Sequence, residues 1–269
     1  MNGGYLEIMF KLYVWACIIY ATYRILRGVW LWSFQKTSLP SGQTPTRGFR
    51  SFLGNISQPF FSTLFFAGII LISANFLGMA CSLRNPFLNE AAGKFQNDLS
   101  LTEGQVLDAI SYDASDKKAY VRMANDAVNR GILHYWWNEG IETYSLRMPF
   151  HENYLLYLMS FISPRDFLKY EIMDYRRAIE RGVGMCSQQV VILTEILKEK
   201  SINAKKINLG GHIVATAQVS ETEWWILDPD YGIVIPHSLG EVEKAPEMVA
   251  QYYKAYPQCA ELVALYGPE

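Results

Sequence analysis

The chain has 269 residues, of which 50% are hydrophobic, 14% are aromatic and 19% are charged. This charged fraction is lower than in most soluble domains, and the length fits one ordinary domain plus an additional part. A net charge of −2 gives no sign of a nucleic-acid partner, and the scattered cysteines and histidines contain no zinc motif.

The additional part is an apolar N-terminal region. Residues 51–83 contain no charged residue, and their centre, 60–80, is long enough for a bilayer-spanning helix of about 20 residues. An earlier apolar stretch, 8–23, contains Lys11 and is followed by Arg24. It could span the bilayer with its basic ends snorkelling, or lie in the interface. Of these two we favour spanning. A cleaved signal peptide fits poorly, because the basic residues follow the apolar run.

Basic residues predict the orientation of this region. Five of them lie between the two apolar stretches, where there is no acidic residue, and the positive-inside rule places such a connection in the cytoplasm. They are Arg24, Arg27, Lys36, Arg47 and Arg50. We therefore expect residues 1–84 to form a membrane anchor with two transmembrane helices and a cytoplasmic loop at 34–58. Residues 85–269 would then form an extracytoplasmic domain, typical of the periplasmic side of a bacterial inner membrane.

The residues after 101 have the pattern of a mainly helical region followed by strands. Apolar spacing predicts a helix over 116–136 and a second helix from Pro164 to a stop at Gly182. The aromatic-rich segment 154–161 could touch the bilayer, but domain core is the preferred interpretation. A broadly apolar helix is predicted to begin at or near Cys186.

Three strands follow, and Pro246 is predicted to start a last helix. The strands are predicted at 205–209, 212–219 and 224–227. The predicted fold class is therefore α+β, with a helical half, a central helix headed by Cys186 and an antiparallel sheet.

Three residues in this region form a candidate catalytic triad. Cys186 opens an apolar helix after a glycine-broken turn, His212 follows two glycines, and Asp228 ends a predicted strand before a proline. A thiol needs a base to become a thiolate, and that base needs an acceptor to fix its tautomer. The amides and dipole at a helix N-terminus favour a thiolate and can stabilise an oxyanion.

This triad demands a particular strand register. If 220–223 were a plain four-residue loop, Asp228 would point to the opposite face of the sheet from His212. A working triad therefore requires an odd-length connection or a bulge, with Val214 opposite Asp228. Asp230 is the competitor for the role of Asp228.

At these residues the chain resembles the transglutaminase-like superfamily, whose fold is related to papain. The resemblance covers about 164–236, through the glycine-rich turn before Cys186, the Gly211-His212 pair and the Asp228-Pro229 pair. It implies that Cys186 attacks a carboxamide or peptide carbonyl, that His212 carries the proton and that Asp228 orients His212. Members include crosslinking transferases, proteases, deamidases and peptide N-glycanases, so the substrate class stays open.

Two further assignments have alternatives. The Gln188 and Gln189 side chains could donate to an oxyanion, although polar residues on a helix surface are the preferred interpretation. Cys17 and Cys81 are expected to pack in the membrane segments, and Cys259 either pairs with Cys81 or is a free thiol.

The sequence thus predicts a membrane-anchored cysteine acyltransferase, protease or amidase that requires no metal or organic cofactor. Its expected substrate is a peptide, a protein or an amine-bearing polymer of the cell envelope. The alternative is a non-catalytic binding or assembly module of an envelope or polysaccharide-export complex, with the triad retained for structural reasons.

Overall fold

The structure of the chain is a computed structural model. Of the first 45 residues it describes Ile19, Tyr20, Tyr23 and Arg27, and after them it describes most of the chain, with the side chains of the long first helix described from residue 61. The described ranges are 46–84, 88, 97–135, 144, 146–167, 171–256 and 260–267.

The fold is α+β, as predicted, with nine α-helices and six strands among the described residues. In chain order the helices are α1 (Thr46–Gly78), α2 (Glu103–Ser111), α3 (Lys117–Gly131), α4 (Tyr154–Ile162), α5 (Pro164–Phe167), α6 (Tyr175–Arg181), α7 (Cys186–Glu199), α8 (Leu239–Val242) and α9 (Ala260–Ala264). The strands are β1 (Leu133–His134), β2 (Val183–Gly184), β3 (Ala204–Asn208), β4 (Ile213–Gln218), β5 (Trp224–Asp228) and β6 (Ile233–Ile235). A 3₁₀-helix covers Pro246–Gln251.

The chain divides into two compact units. The first contains Met1–Cys81 and Met148–Ile162, and the second contains Ser82–Arg147 and Ser163–Glu269. The first break lies close to the boundary predicted at residue 84. The segment Met148–Ile162 joins the first unit, whereas the sequence had placed it in the C-terminal domain.

Helix α1 contains the candidate membrane span of the described residues. Its section Phe61–Gly78 is long and apolar enough to cross a bilayer, judged by length and composition, and only 6% of that window is buried. The predicted loop over 34–58 is wrong from Thr46 onward, because α1 already begins there. Most of the predicted first span, 8–23, lies outside the described residues.

Helix α4 corrects the expectation that segment 154–161 forms domain core. Its large apolar side chains are mostly exposed: Leu155 at 63%, Leu158 at 52%, Phe161 at 58% and Ile162 at 75%. Ser160 is the buried residue of this helix. The segment is apolar and helical, but an apolar composition alone does not distinguish a buried helix from a helix with an exposed apolar face.

Local signals explain where the helices of the second unit begin and end. The Asp116 carboxylate caps α3 through the amides of Lys118 and Ala119. The predicted single helix from Pro164 to Gly182 is wrong, because Asp174 caps the separate helix α6. Gly182 ends α6 in the left-handed conformation, with φ of 71°, as its position predicted.

The sheet is antiparallel, in the order β3-β4-β5-β6. Gln218 pairs with Trp224, so five residues connect β4 to β5. This odd-length connection confirms the predicted register. Thr216 pairs with Ile226, and continuing this antiparallel pairing by two residues brings Val214 opposite Asp228. The short strand β6 was not predicted. Val214, Ile226 and the β6 residue Ile235 belong to one buried apolar cluster with the C-terminal segments.

Gly184 provides a test of how tightly the turn before α7 is packed. A Cβ atom at Gly184 would lie 2.7 Å from both Cβ and Cγ of Gln188. We expect Gly184→Ala to lower the free energy of unfolding by about 1–3 kcal/mol, as overpacking does. Gly104→Ala is the matched control, because nothing lies within 4 Å of a Cβ there. Urea unfolding of the full chain in detergent, followed by tryptophan fluorescence, measures both, and equal stabilities would contradict the prediction.

Candidate active site

Cys186 is the first residue of α7, as predicted. The chain reaches it through the left-handed Gly182 and strand β2, which pairs in parallel with β1. The N-cap residue Met185 makes no side-chain hydrogen bond to the helix. The first-turn amides of α7 are therefore not capped by Met185, and the partly exposed Cys186 thiol is free of any disulfide.

His212 links Cys186 to Asp228. His212 Nε2 lies 2.8 Å from Asp228 Oδ2, and these two residues are 4% and 0% exposed. A ring nitrogen of His212 and the Cys186 sulfur lie within 4.8 Å of each other. The predicted hydrogen-bond reach between His212 and Asp228 is thus confirmed. Because Nε2 is occupied by Asp228, Nδ1 is the ring nitrogen that remains for the thiol.

Asp228 accepts two further hydrogen bonds. The Tyr253 hydroxyl donates to Oδ2 at 2.5 Å, and the Asp230 backbone amide donates to Oδ1 at 3.1 Å. Burial and the charge of Asp228 raise the pKa of Tyr253 well above its ordinary value, so the hydroxyl keeps its proton. The Tyr253 and Tyr266 hydroxyls lie 3.0 Å apart. Sequence analysis missed both tyrosines, since no local pattern relates them to Asp228.

The charge of His212 follows from these neighbours. Burial lowers the pKa of His212, but the charge and hydrogen bond of Asp228, the hydrogen bond with Cys186 and the charge of Asp230 outweigh it. Together they raise the pKa of His212 to about 11. The site therefore favours an imidazolium at neutral pH.

Asp230 has a different set of partners. Its Oδ1 lies 2.5 Å from His134 Nδ1 and 2.9 Å from Gln189 Nε2. Asp228, and not its competitor Asp230, makes the hydrogen bond to the His212 ring. Ligand atoms of Cys186, His212 and Asp230 lie within 4.8 Å of one another. Among the described residues, these are the side chains that could share a metal ion.

The side chains of Gln188 and Gln189 are buried, which corrects their interpretation as helix-surface residues. They are 4% and 0% exposed. The Gln188 amide exchanges two hydrogen bonds with the backbone of Ile172, at 2.7 Å and 3.0 Å. Gln189 donates to Asp230. Both side-chain NH₂ groups are therefore engaged away from an oxyanion.

A small surface cleft borders Cys186 in the chain, since Met185 and Ser187 line it. Tyr135, Glu171 and Arg181 belong to its described lining. Burial raises the pKa of Tyr135 and lowers the pKa of Arg181. The lining thus includes a carboxyl group, a guanidinium group and an aromatic ring.

Of the remaining cysteines, Cys81 lies among the described residues. It is partly exposed, and its Sγ lies 3.6 Å from the Leu77 carbonyl oxygen. Cys17 and Cys259 lie outside the described residues, so the expected packing of Cys17 and the predicted alternatives for Cys259 stay predictions.

No model of a known protein family, no curated protein and no solved structure matches this chain. Function is therefore inferred from the contacts and charges around Cys186.

The raised pKa of His212 predicts a pH-dependent contribution to stability. Because its folded-state pKa of about 11 exceeds the ordinary value of 6.5, proton binding stabilises the fold fully below pH 6.5. This stabilisation is lost as the pH rises towards 11, by at most about 1.4 kcal/mol per pH unit.

We therefore expect His212→Gln to lower the free energy of unfolding more at about pH 6 than at about pH 9. Denaturant titrations of the full chain in detergent measure the difference. His237→Gln, at a partly exposed histidine outside this network, is the control. If the loss of unfolding free energy in His212→Gln stays constant or grows with pH, the raised pKa of His212 is contradicted.

Proposed function

We propose that this chain is a thiol-dependent acyltransferase or hydrolase with Cys186 as its nucleophile. The observation that best supports this is the position of His212, whose ring nitrogen lies within 4.8 Å of the Cys186 sulfur and which is hydrogen-bonded to Asp228. Acyl transfer through a thioester requires a nucleophile, a proton carrier and a group that orients the carrier. The resemblance to the transglutaminase-like superfamily implies the same chemistry.

In the first half of the reaction, the Cys186 thiolate attacks the carbonyl carbon of an amide or peptide bond. The carbonyl electron pair moves to oxygen, and when it returns the C–N bond breaks. His212, as imidazolium, donates its proton to the leaving nitrogen, which departs as ammonia or an amine. The acyl group remains on Cys186 as a thioester.

In the second half, water or an amine attacks the thioester carbonyl. Neutral His212 accepts the proton of this nucleophile, the C–S bond breaks, and the thiolate and imidazolium are restored. Asp228 orients the ring throughout through its bond to Nε2. Water gives hydrolysis, and an amine gives transfer.

Backbone amides in the first turn of α7 are the proposed donors to the oxyanion. Met185 supplies no side-chain cap for them, and the helix dipole adds partial positive charge at this end. The side-chain NH₂ groups of Gln188 and Gln189 are occupied by Ile172 and Asp230. The backbone is therefore the better source of these hydrogen bonds.

We propose an envelope peptide, protein or amine-bearing polymer as substrate. The cleft beside Cys186 carries Glu171 and Arg181, which suits a polar, peptide-like group of mixed charge. The candidate span in α1 and the basic residues that precede it favour an integral membrane protein with the second unit outside the cytoplasm. A bacterial inner membrane, with this unit in the periplasm, fits that orientation.

Alkylation kinetics test the nucleophile. At neutral pH, iodoacetamide should modify Cys186 faster than Cys81, which is also partly exposed and whose Sγ lies beside the Leu77 carbonyl oxygen. We expect His212→Ala to slow the reaction at Cys186 by about tenfold or more, because an unassisted thiol is only a few per cent ionised at pH 7. Asp228→Asn should slow it more than Asp230→Asn, and peptide mass spectrometry assigns each label.

Equal alkylation of Cys186 and Cys81, unaffected by His212→Ala, would contradict the proposed nucleophile. The network around Asp228 would then be structural, as the binding or assembly module requires. Mass spectrometry should detect an acylated chain that is absent in Cys186→Ala. Such an acyl-enzyme would distinguish a catalytic cysteine from a cysteine that is reactive but not catalytic.

Reporter fusions test the location. A reporter that is active only outside the cytoplasm should give signal when fused after Glu269, because the basic residues before α1 favour the cytoplasmic side. The same reporter fused within the basic segment, after Lys36, is the control and should be silent. Signal after Glu269 from a reporter that works only in the cytoplasm would reverse the proposed orientation.

A further inference from the structure

The exposed apolar face of α4 is a feature of the first unit that the proposed chemistry does not use. Leu155, Leu158, Phe161 and Ile162 are each more than half exposed. At 100° per residue they fall within a stripe of roughly 120° on one side of the helix. Residues 153–163 contain no charged residue. A contiguous apolar face of this kind marks a protein or membrane contact.

The segment that leads into α4 packs at the end of the candidate span. A Cβ atom at Gly78, the last residue of α1, would lie 2.5 Å from the backbone oxygen of His151. Such close approach requires a glycine, and it brings the chain alongside the last turn of α1 three residues before α4 begins. If Phe61–Gly78 crosses the bilayer, Gly78 lies at the edge of the hydrocarbon layer.

Aromatic side chains add a second, independent observation. The rings of Phe150 and Tyr157 lie 5.6 Å apart, and those of Tyr157 and Phe161 lie 5.1 Å apart, both edge to face. Tyr154 stacks at 6.0 Å from Phe150. Tyrosine is enriched where the hydrocarbon layer meets the headgroups, because its ring is apolar and its hydroxyl is polar.

We propose that α4 is an interfacial helix whose face formed by Leu155, Leu158, Phe161 and Ile162 inserts into the lipid at the membrane end of α1. The occupant of this face is the acyl-chain boundary of the bilayer. The proposal rests on α1 crossing the membrane, as in the proposed function. It goes beyond that function by giving the first unit a second membrane contact, contributed by a segment that begins 76 residues after Gly78, the last residue of α1.

Depth-dependent fluorescence quenching tests this proposal in the full chain. The native cysteines Cys17, Cys81, Cys186 and Cys259 are replaced by serine, and single cysteines carrying an environment-sensitive dye are introduced one at a time. Leu158→Cys and Ile162→Cys report on α4, and using two positions guards against one variant misfolding. Ile69→Cys reports on α1, and Tyr112→Cys, at a residue that is 70% exposed in the second unit, is the aqueous control.

Each variant is reconstituted in phosphatidylcholine–phosphatidylglycerol vesicles, with and without doxyl-labelled phosphatidylcholine, and iodide serves as the aqueous quencher. We expect the doxyl lipid to remove most of the fluorescence at Leu158 and Ile162 and little at Tyr112, with the opposite order for iodide. Iodide quenching at Leu158 equal to that at Tyr112 would overturn the proposal. Shielding from both quenchers would also overturn it, because protein would then cover the face.

The label at Ile69 distinguishes a failure of the interfacial-helix proposal from a failure of the proposed membrane span. Lipid quenching at Ile69 without quenching at α4 refutes the interfacial helix alone. Absence of lipid quenching at Ile69 refutes the membrane span itself, and the interfacial helix with it.

Discussion

The buried carboxylate of Asp228 is the group on which the rest of the site depends. It is fully buried and accepts hydrogen bonds from three groups: the His212 ring, the Tyr253 hydroxyl and the Asp230 amide. An ionised carboxylate without partners would cost several kcal/mol in such a place. The end of β5, the start of β4 and the C-terminal segment must therefore come together before Asp228 is compensated, which couples folding to assembly of the site.

The dipeptide after Asp228 extends this coupling to the helical half of the second unit. Asn129, at the end of α3, donates to the carbonyl oxygens of Pro229 and Asp230 at 2.9 Å and 3.0 Å. Asp230 in turn contacts His134, on the strand that pairs with β2 just before Cys186. Gly232 has a positive φ of 69°, and a Cβ there would lie 3.0 Å from Asn129. One turn thus positions the acceptor for His212 and fixes the strand leading to the nucleophile.

Some features set by residues close together in the chain could be predicted from the sequence, whereas features set by tertiary contacts could not. The register of β4 against β5 followed from whether the number of connecting residues is odd or even. His212 and Asp228 can share a face of the sheet only across an odd-length connection. The end of α6 followed from a single glycine. The Asp174 cap, which begins α6 as a separate helix, was not predicted. Tyr253 and His134 could not be found, because they reach Asp228 and Asp230 only through tertiary contacts.

The hydrogen bonds around Asp228 also define its chemical role. Oδ2 is shared between His212 and Tyr253, and the raised pKa of Tyr253 keeps that hydroxyl protonated as a donor. A carboxylate oxygen that already accepts two hydrogen bonds is suited to hold an imidazolium in place, not to remove its proton. In the proposed reaction, proton transfer is then confined to the other ring nitrogen of His212. Tyr253 would act on Cys186 only through Asp228 and His212, as a positioning residue of that proposed reaction.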